Sequence, residues 1–278
     1  MMNSVRLTVG CLLLVAMGCS GKDGSPPTIT LATTTSTRDS GLLDALVPMF
    51  EKQTGIEVKM VAVGSGQALE LGRRGDADAI LTHAPDAEKE FMAQGFGEER
   101  LAVMHNDFVL VGPTADPVKI AGGKSITLAF ARIAGSNSPF VSRGDESGTH
   151  LKERRIWQQA EIEPDSPWYL QAGMGMANVL RMADQKNAYT LSDRGTFLAQ
   201  RRQLDLTVLC EGDPLLQNDY SVILVKHDKL PHVNREPARR FVDFLLSRDV
   251  QKMIGDFGVD KFGEPLFFPR PDINLPVP

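Results

Sequence analysis

From Thr28 onward, strand-like and helix-like segments alternate: "TITLA", "SGLLDALVPMFEKQTG", "IEVKMVAV", "GQALELGRRG" and "ADAILT". Parallel neighbours need a crossover long enough to hold a helix, so this βαβαβ order commits the start of the chain to an α/β fold built on a parallel sheet. In the first helical segment Leu42, Leu43, Leu46, Val47 and Phe50 recur at spacings of three and four, which is the stripe of a helix packed on a core, and Gly55 supplies the stop. Pro48 lies inside that stripe and predicts a kink.

Two distant segments echo each other, "NDFVLVGP" from Asn106 and "NDYSVILVKH" from Asn218. Each is Asn-Asp-aromatic followed by an apolar run, and as a repeat eight residues is short enough for chance. If both are strands crossing between two lobes, residues 28–107 and 221–278 form lobe I and residues 108–220 form lobe II. The expected architecture is α/β and two-lobed, each lobe a mostly parallel sheet flanked by helices and the two joined by a pair of hinge strands. Such a body closes on a ligand held between its lobes.

The opening "MMNSVRLTVGCLLLVAMGCS" has one positive charge at Arg6, an apolar run from Leu7 to Met17, and then Gly18-Cys19-Ser20. This is the layout of a secretory signal covering residues 1–18, with an apolar run too short to span a bilayer. A small residue directly before a cysteine looks like a bacterial lipoprotein signal, in which Cys19 carries lipid; Ala16 stands where that pattern expects leucine. Plain secretion is the other reading, and either one places the working chain outside the cytoplasm. Residues 19–27 then read as a polar tether, lipid-anchored if Cys19 is modified.

Of three cysteines, Cys11 would be lost with the signal and Cys19 would be lipidated, leaving Cys210 alone. Neither a disulfide framework nor a cysteine metal cluster can be built from one thiol. Five scattered histidines without an HExxH spacing argue against a zinc enzyme, and a formal charge of −5 argues against nucleic acid.

Three turns carry the chemistry. "TTTSTRDSG", Thr33 to Gly41, follows the first strand and includes Thr34, Thr35 and Ser36. Gly64-Ser65-Gly66-Gln67 follows the second. In lobe II, "FVSRGDESGTH" reads as a strand end, a turn and a helix start, with Ser147, Gly148 and Thr149 at the helix N-terminus and Arg143 just upstream. In α/β sheets ligands gather beyond the carboxyl ends of strands, where helix N-termini offer unpaired N–H groups and the positive end of the macrodipole. Arg143 adds a planar fork of donors suited to oxyanions. The competing reading is plainer: Ser and Thr cap helices, and Arg143 pairs with Asp145 or Glu146 at the surface. A serine hydrolase is a further alternative, with His83, His105 or His150 as base and Asp107 or Asp193 behind it. Against it, neither Ser147 nor Ser65 sits in GxSxG, and there is no GxxxxGK[ST] phosphate loop.

In order along the chain, "TTTSTRDSGLLDAL", "VAVGSGQALELGRRGDADAILTHAP", "NDFVLVGP", "FVSRGDESGTH", "AGMGMANVLRMA" and "AYTLSDRGTFL" closely resemble the tungstate-binding periplasmic proteins of ABC importers. The resemblance runs from Thr28 to about Lys226; singly, "SRGDxSGT" is shared in kind with oxyanion-binding proteins at large. It implies a class II periplasmic-binding-protein-like fold, no catalysis and no cofactor. The implied ligand is tungstate, with molybdate, phosphate or sulfate as alternatives. It implies delivery by a monomer to a membrane permease and its ATPase. Carried over by motif, the binding residues are the hydroxyls of the Thr33–Ser36 turn, the Ser65-Gly66 turn, and Arg143 with Ser147 and Thr149.

Phosphate-binding relatives typically place an aspartate before Ala-Pro where this chain has His83, and that carboxylate accepts the proton of bound phosphate. Tungstate carries no proton at neutral pH, so its cage should contain donors, and His83 is expected to mark that choice. A packing or lobe-closing role is the alternative for His83. Asp193 and Arg194 read as a lobe latch or a turn pair. Gly173 and Gly175 read as letting the backbone approach the ligand or as a turn into the next helix.

Overall fold

The computed structural model describes residues 26–165 and 167–270. The signal at 1–18, Cys19 and most of the tether lie outside the described residues. Among the described residues no helix is long and apolar enough to cross a membrane.

The chain opens with β1 (Thr28–Thr34), the short helix α1 (Thr35–Asp39), α2 (Leu42–Thr54), β2 (Glu57–Val63), α3 (Ser65–Arg74), β3 (Ala79–Thr82) and α4 (Pro85–Ala93). It continues with β4 (Gly97–Pro113), α5 (Ile126–Gly135), β5 (Phe140–Ser142), α6 (Gly148–Gln159), β6 (Tyr169–Gln171), α7 (Met176–Gln185), β7 (Thr190–Asp193), α8 (Arg194–Gln200) and β8 (Leu206–Cys210). Last come β9 (Gln217–Val225), α9 (Arg235–Leu246), α10 (Arg248–Asp256), α11 (Val259–Phe262) and β10 (Phe268–Pro269).

The first sheet has the order β2-β1-β3-β9-β4-β10. Strands β1, β2 and β3 are parallel, as the βαβαβ order requires, while β9 runs antiparallel to both β3 and β4. Parallel strands end at one edge, so the turns after Thr34, Val63 and Thr82 meet there. A second set of strands mixes directions: β5 and β6 are parallel, Phe140 bridges to Tyr189 just before β7, and β7 and β8 pair antiparallel with β4. The 17 residues of β4 join the two sets. Its ladder to β9 ends at Asp107, opposite Gln217, and from Phe108 it pairs with β7 and from Leu110 with β8.

Leu42, Leu43, Leu46, Val47 and Phe50 are all buried, and α2 runs through Pro48 without interruption before Gly55 ends it at φ 70°. Helix α3 lies close on β3 because Gly72 has no side chain: a Cβ there would sit 2.5 Å from Ile80 Cδ1. On the second set of strands, Phe130, Phe140 and Trp157 form an aromatic core, with ring centroids 4.3 Å apart for Phe130 and Trp157. Each ring removed from water contributes roughly 1.5–3 kcal/mol. Cys210 ends β8 as a buried free thiol, and burial pushes its pKa up to about 11.

Candidate oxyanion site

A cleft of about 1770 Å³ collects the turns singled out above. It is lined by Thr34, Thr35, Ser36, Ser65, Gly66, His83, Arg143, Ser147, Gly148 and Thr149. Their meeting follows from topology, because each turn leaves the carboxyl end of a parallel strand.

The first turn is itself a single helical turn. Buried Thr34 caps α1, accepting from Thr37 N at 3.2 Å, while its hydroxyl lies 2.6 Å from Thr37 Oγ1 and 3.0 Å from Ser36 Oγ. Thr35 and Ser36 are exposed to the cleft. The second turn is capped differently. Gly64 has no side chain to offer α3, so the N–H groups of Gly66 and Gln67 have no side-chain cap, and Gln67 Oε1 only braces Gly64 N at 3.4 Å. A glycine N-cap thus leaves donors free that Ser or Thr would have taken.

The third turn begins where β5 ends. Ser147 caps α6, accepting from His150 N at 3.3 Å, and Gly148 and Thr149 form the first turn of that helix. Arg143 does pair with Asp145, through Nε at 3.1 Å and Nη2 at 2.5 Å, both to Oδ2. The plainer expectation therefore holds in part, yet two donors to one oxygen leave the other N–H groups of a five-donor fork unengaged by this pair. Burial alone would raise the Asp145 carboxyl; hydrogen bonds from Ser147 and Arg143 outweigh it and hold the group below the usual range. Asp145 thereby anchors the fork and the cap together, since Oδ1 also accepts from Ser147 N at 3.2 Å. Behind the turn, buried Glu153 accepts from Tyr169 Oη at 2.8 Å and Trp157 Nε1 at 3.2 Å. Burial raises its pKa to about 7, against the opposing pull of those donors and of the Arg143 backbone N–H.

His83 connects the two sides. Its turn is fixed from below by buried Glu88, which accepts from Thr82 Oγ1 at 2.9 Å, Ala84 N at 2.8 Å and Arg100 Nε at 2.8 Å. The ring contacts Ser36 Oγ through Nε2 at 3.2 Å and Asn218 Oδ1 through Nδ1 at 3.1 Å, and packs on Tyr220 with centroids 4.7 Å apart. A Cβ on Gly148 would stand 3.6 Å from His83 Cε1, so the N-terminus of α6 lies against the ring. Burial lowers the His83 pKa, with the Asn218 contact opposing it, which favours the neutral ring.

Several lining residues escaped the sequence reading. Asn218 and Asn106 are register partners on β9 and β4, and Asn218 Nδ2 donates to Asn106 Oδ1 at 2.8 Å. The echoed Asn-Asp-aromatic segments were the signal for this pair. Lys152, one turn along α6, also reaches the cleft, where Nζ donates to the Gln217 carbonyl at 2.9 Å. Gly175 caps α7 without a side-chain bond, presenting a further helix N-terminus, and Gly173 takes φ 63° while its N donates to the Arg143 carbonyl at 2.8 Å. Asp193 caps α8, and Arg194 binds Asp107, Glu211 and Glu264, tying β4 to the C-terminal segment.

As a hydrolase the site is poorly furnished. Ser147 is engaged as a cap, and His150 Nδ1 accepts from Glu146 N at 3.0 Å, so that face of the ring is turned away from it. Ser36, His83 and Asn218 do repeat the connectivity of a triad. Asparagine in the third place carries no charge to stabilise an imidazolium, and burial already disfavours one.

The chain is similar to known proteins in sequence and in fold. The profile of the PBP superfamily domain matches residues 21–249. The tungstate-binding protein TupA of Peptoclostridium acidaminophilum is 46% identical, across 96% of this chain and 97% of that protein. The chain belongs to the tungstate-binding protein family. Among solved structures, the tungstate-binding protein TupA from Desulfovibrio alaskensis superposes with a TM-score of 0.82 at 45% identity, covering 88% of this chain and 99% of that one. The tungstate ABC transporter structure from Geobacter sulfurreducens gives 0.71 at 44% identity, covering 83% and 98%. These relatives are transport binding proteins rather than enzymes.

Proposed function

We propose that this chain captures tungstate, or the near-identical molybdate dianion, in the cleft between two lobes and delivers it to the permease of an ABC importer. The lobes are residues 28–107 with 221–278, and residues 108–220, and they close about the crossing strands β4 and β9. The observation that carries the reading is the convergence of Arg143 with the N-termini of α1, α3, α6 and α7 on one cleft.

A dianion taken out of water loses hydration worth many kcal/mol and survives only among hydrogen bonds and positive charge. Arg143 offers the dianion the N–H groups that Asp145 does not take. The N–H groups of Ser65, Gly66, Gly148 and Thr149 and the hydroxyls of Thr34, Thr35, Ser36, Ser147 and Thr149 supply the rest. His83 standing where phosphate-binding proteins have a carboxylate leaves a protonated anion without its acceptor, which disfavours HPO₄²⁻ against tungstate. Cys19 carries a lipid that holds the protein at the outer face of the membrane, and residues 1–18 direct export.

Calorimetric titration of the ligand-free protein with tungstate, molybdate, sulfate and phosphate in turn tests this reading. Heat with the first two is expected. Silence with all four, or a preference for phosphate, overturns it.

A further inference from the structure

The contacts from Ser36 to Tyr220 form one continuous chain: Ser36 Oγ to His83 Nε2 at 3.2 Å, His83 Nδ1 to Asn218 Oδ1 at 3.1 Å, Asn218 Nδ2 to Asn106 Oδ1 at 2.8 Å, and Asn106 Nδ2 to Tyr220 Oη at 3.3 Å. It begins in the first turn of the cleft and ends on the strands that join the two sheets. Asn218 and Tyr220 are buried, so every group in it needs a partner. Each ring nitrogen of His83 faces one polar partner, and the neutral ring has one proton to place between them.

As drawn, Asn218 turns its carbonyl to His83, so the proton must be on Nδ1. The Nε2 lone pair then takes the hydroxyl proton of Ser36, its only one. In this direction Ser36 has nothing to give an anion, and withdrawing its proton would leave a bare lone pair of His83 beside a negative charge. Half-turns of both amides exchange nitrogen for oxygen at unchanged positions. Tyr220 then donates to Asn106 Oδ1, Asn106 Nδ2 to Asn218 Oδ1, Asn218 Nδ2 to His83 Nδ1, and His83 Nε2–H to Ser36 Oγ. All groups stay paired, and the Ser36 proton is released from His83, free to turn to the cleft or to Thr34 Oγ1 3.0 Å away.

We propose that Asn106 and Asn218 are positioning residues for anion capture: the bound oxyanion selects the second direction, moving the His83 proton from Nδ1 to Nε2 and releasing the Ser36 hydroxyl as a donor. The change needs no net proton, since Nδ1 loses to solvent what Nε2 gains. Ser36 thus reads as a donor whose availability is set at the strand crossing, by Asn106 and Asn218. The inference rests on the oxyanion reading of the cleft.

The test is nitrogen NMR of the protein labelled at its histidine rings, with sodium tungstate added at neutral pH and His83 assigned through H83Q. The expected result is Nδ1–H without tungstate and Nε2–H with it. Calorimetry on the same sample separates the two ideas: no heat overturns the binding reading, whereas heat with an unchanged His83 tautomer overturns the positioning proposal. A pair of variants adds a second arm. In N106D the carboxylate only accepts, which pins Asn218 in the first direction. Tungstate binding should then weaken by about tenfold or more, the scale of one lost hydrogen bond to a charged group, with Nδ1–H retained in the complex. N106S keeps a hydroxyl that donates or accepts and should stay within about threefold of the parent. Equal losses in the two variants, or full affinity in N106D, overturn the proposal.

Discussion

Arg143 reaches the cleft already tethered, with two donors on a single oxygen of Asp145 and its side chain 19% exposed. The tether fixes the plane of the guanidinium before a ligand arrives, so less rotamer freedom is lost on binding. Replacing Arg143 by alanine should cost tungstate affinity about 2–5 kcal/mol, since the dianion would be buried with its main countercharge gone. Titration calorimetry reads that loss directly; a variant with parental affinity would take Arg143 out of the site. His83→Asp tests selectivity: tungstate affinity should fall and phosphate binding appear in competition assays, because the new carboxylate repels one anion and accepts the other's proton. Arg143 and Ser147 were legible in the sequence because their partners lie within a few residues. Asn218 was not, since what it does depends on Asn106, 112 positions away, and on a ring from the turn after β3. Only the faint echo between "NDF" and "NDY" hinted at it.

Helix α6 carries two functions on one turn, and they can be separated. Ser147→Ala removes the cap on His150 N, which should lower unfolding stability by about 1 kcal/mol in denaturant titrations and weaken anion binding as well. Glu153, on the buried face of the same helix, gives a pH signature. Its folded pKa, raised by burial to about 7, exceeds the ordinary 4.5, so between those values the folded state holds more protons than the unfolded one. Stability from this group is therefore fully present below about pH 4.5 and is lost as pH rises through about 7, up to about 3 kcal/mol in all. Glu153→Gln should flatten that slope in unfolding measurements across the same window. At this scale the alternation from Thr28 revealed β1 to β3 and the helices between them. It did not reveal that β4 starts at Gly97, because "GEER" has the polarity of a loop and becomes strand through its ladder to β9, with Arg100 tied to Glu88 and Glu98 tied to Arg235. Nor did it show α1, a turn of Ser and Thr whose helical form depends on the Thr34 cap.

For the whole molecule, a ligand that binds only the folded state must stabilise it. At a hundredfold excess over its Kd, tungstate should add about 2.7 kcal/mol, which for a chain of this size raises Tm by roughly 5–10 °C. Phosphate at the same concentration should leave the melting curve in place. The overall charge of −5 hides this local arrangement, because the cleft gathers several helix N-termini together with Arg143 and Lys152. Cys210 has one more consequence at this scale. Among the described residues it is the free thiol, sealed at the end of β8 with its ionisation suppressed, so alkylating reagents should pass it by in the native state. A secreted form beginning at Thr28 would then have a chemically silent background. A cysteine set into the cleft rim, for instance in place of exposed Leu151, would take a fluorophore alone, and the emission of that dye would turn the protein into an optical meter for the metal anions in a water sample.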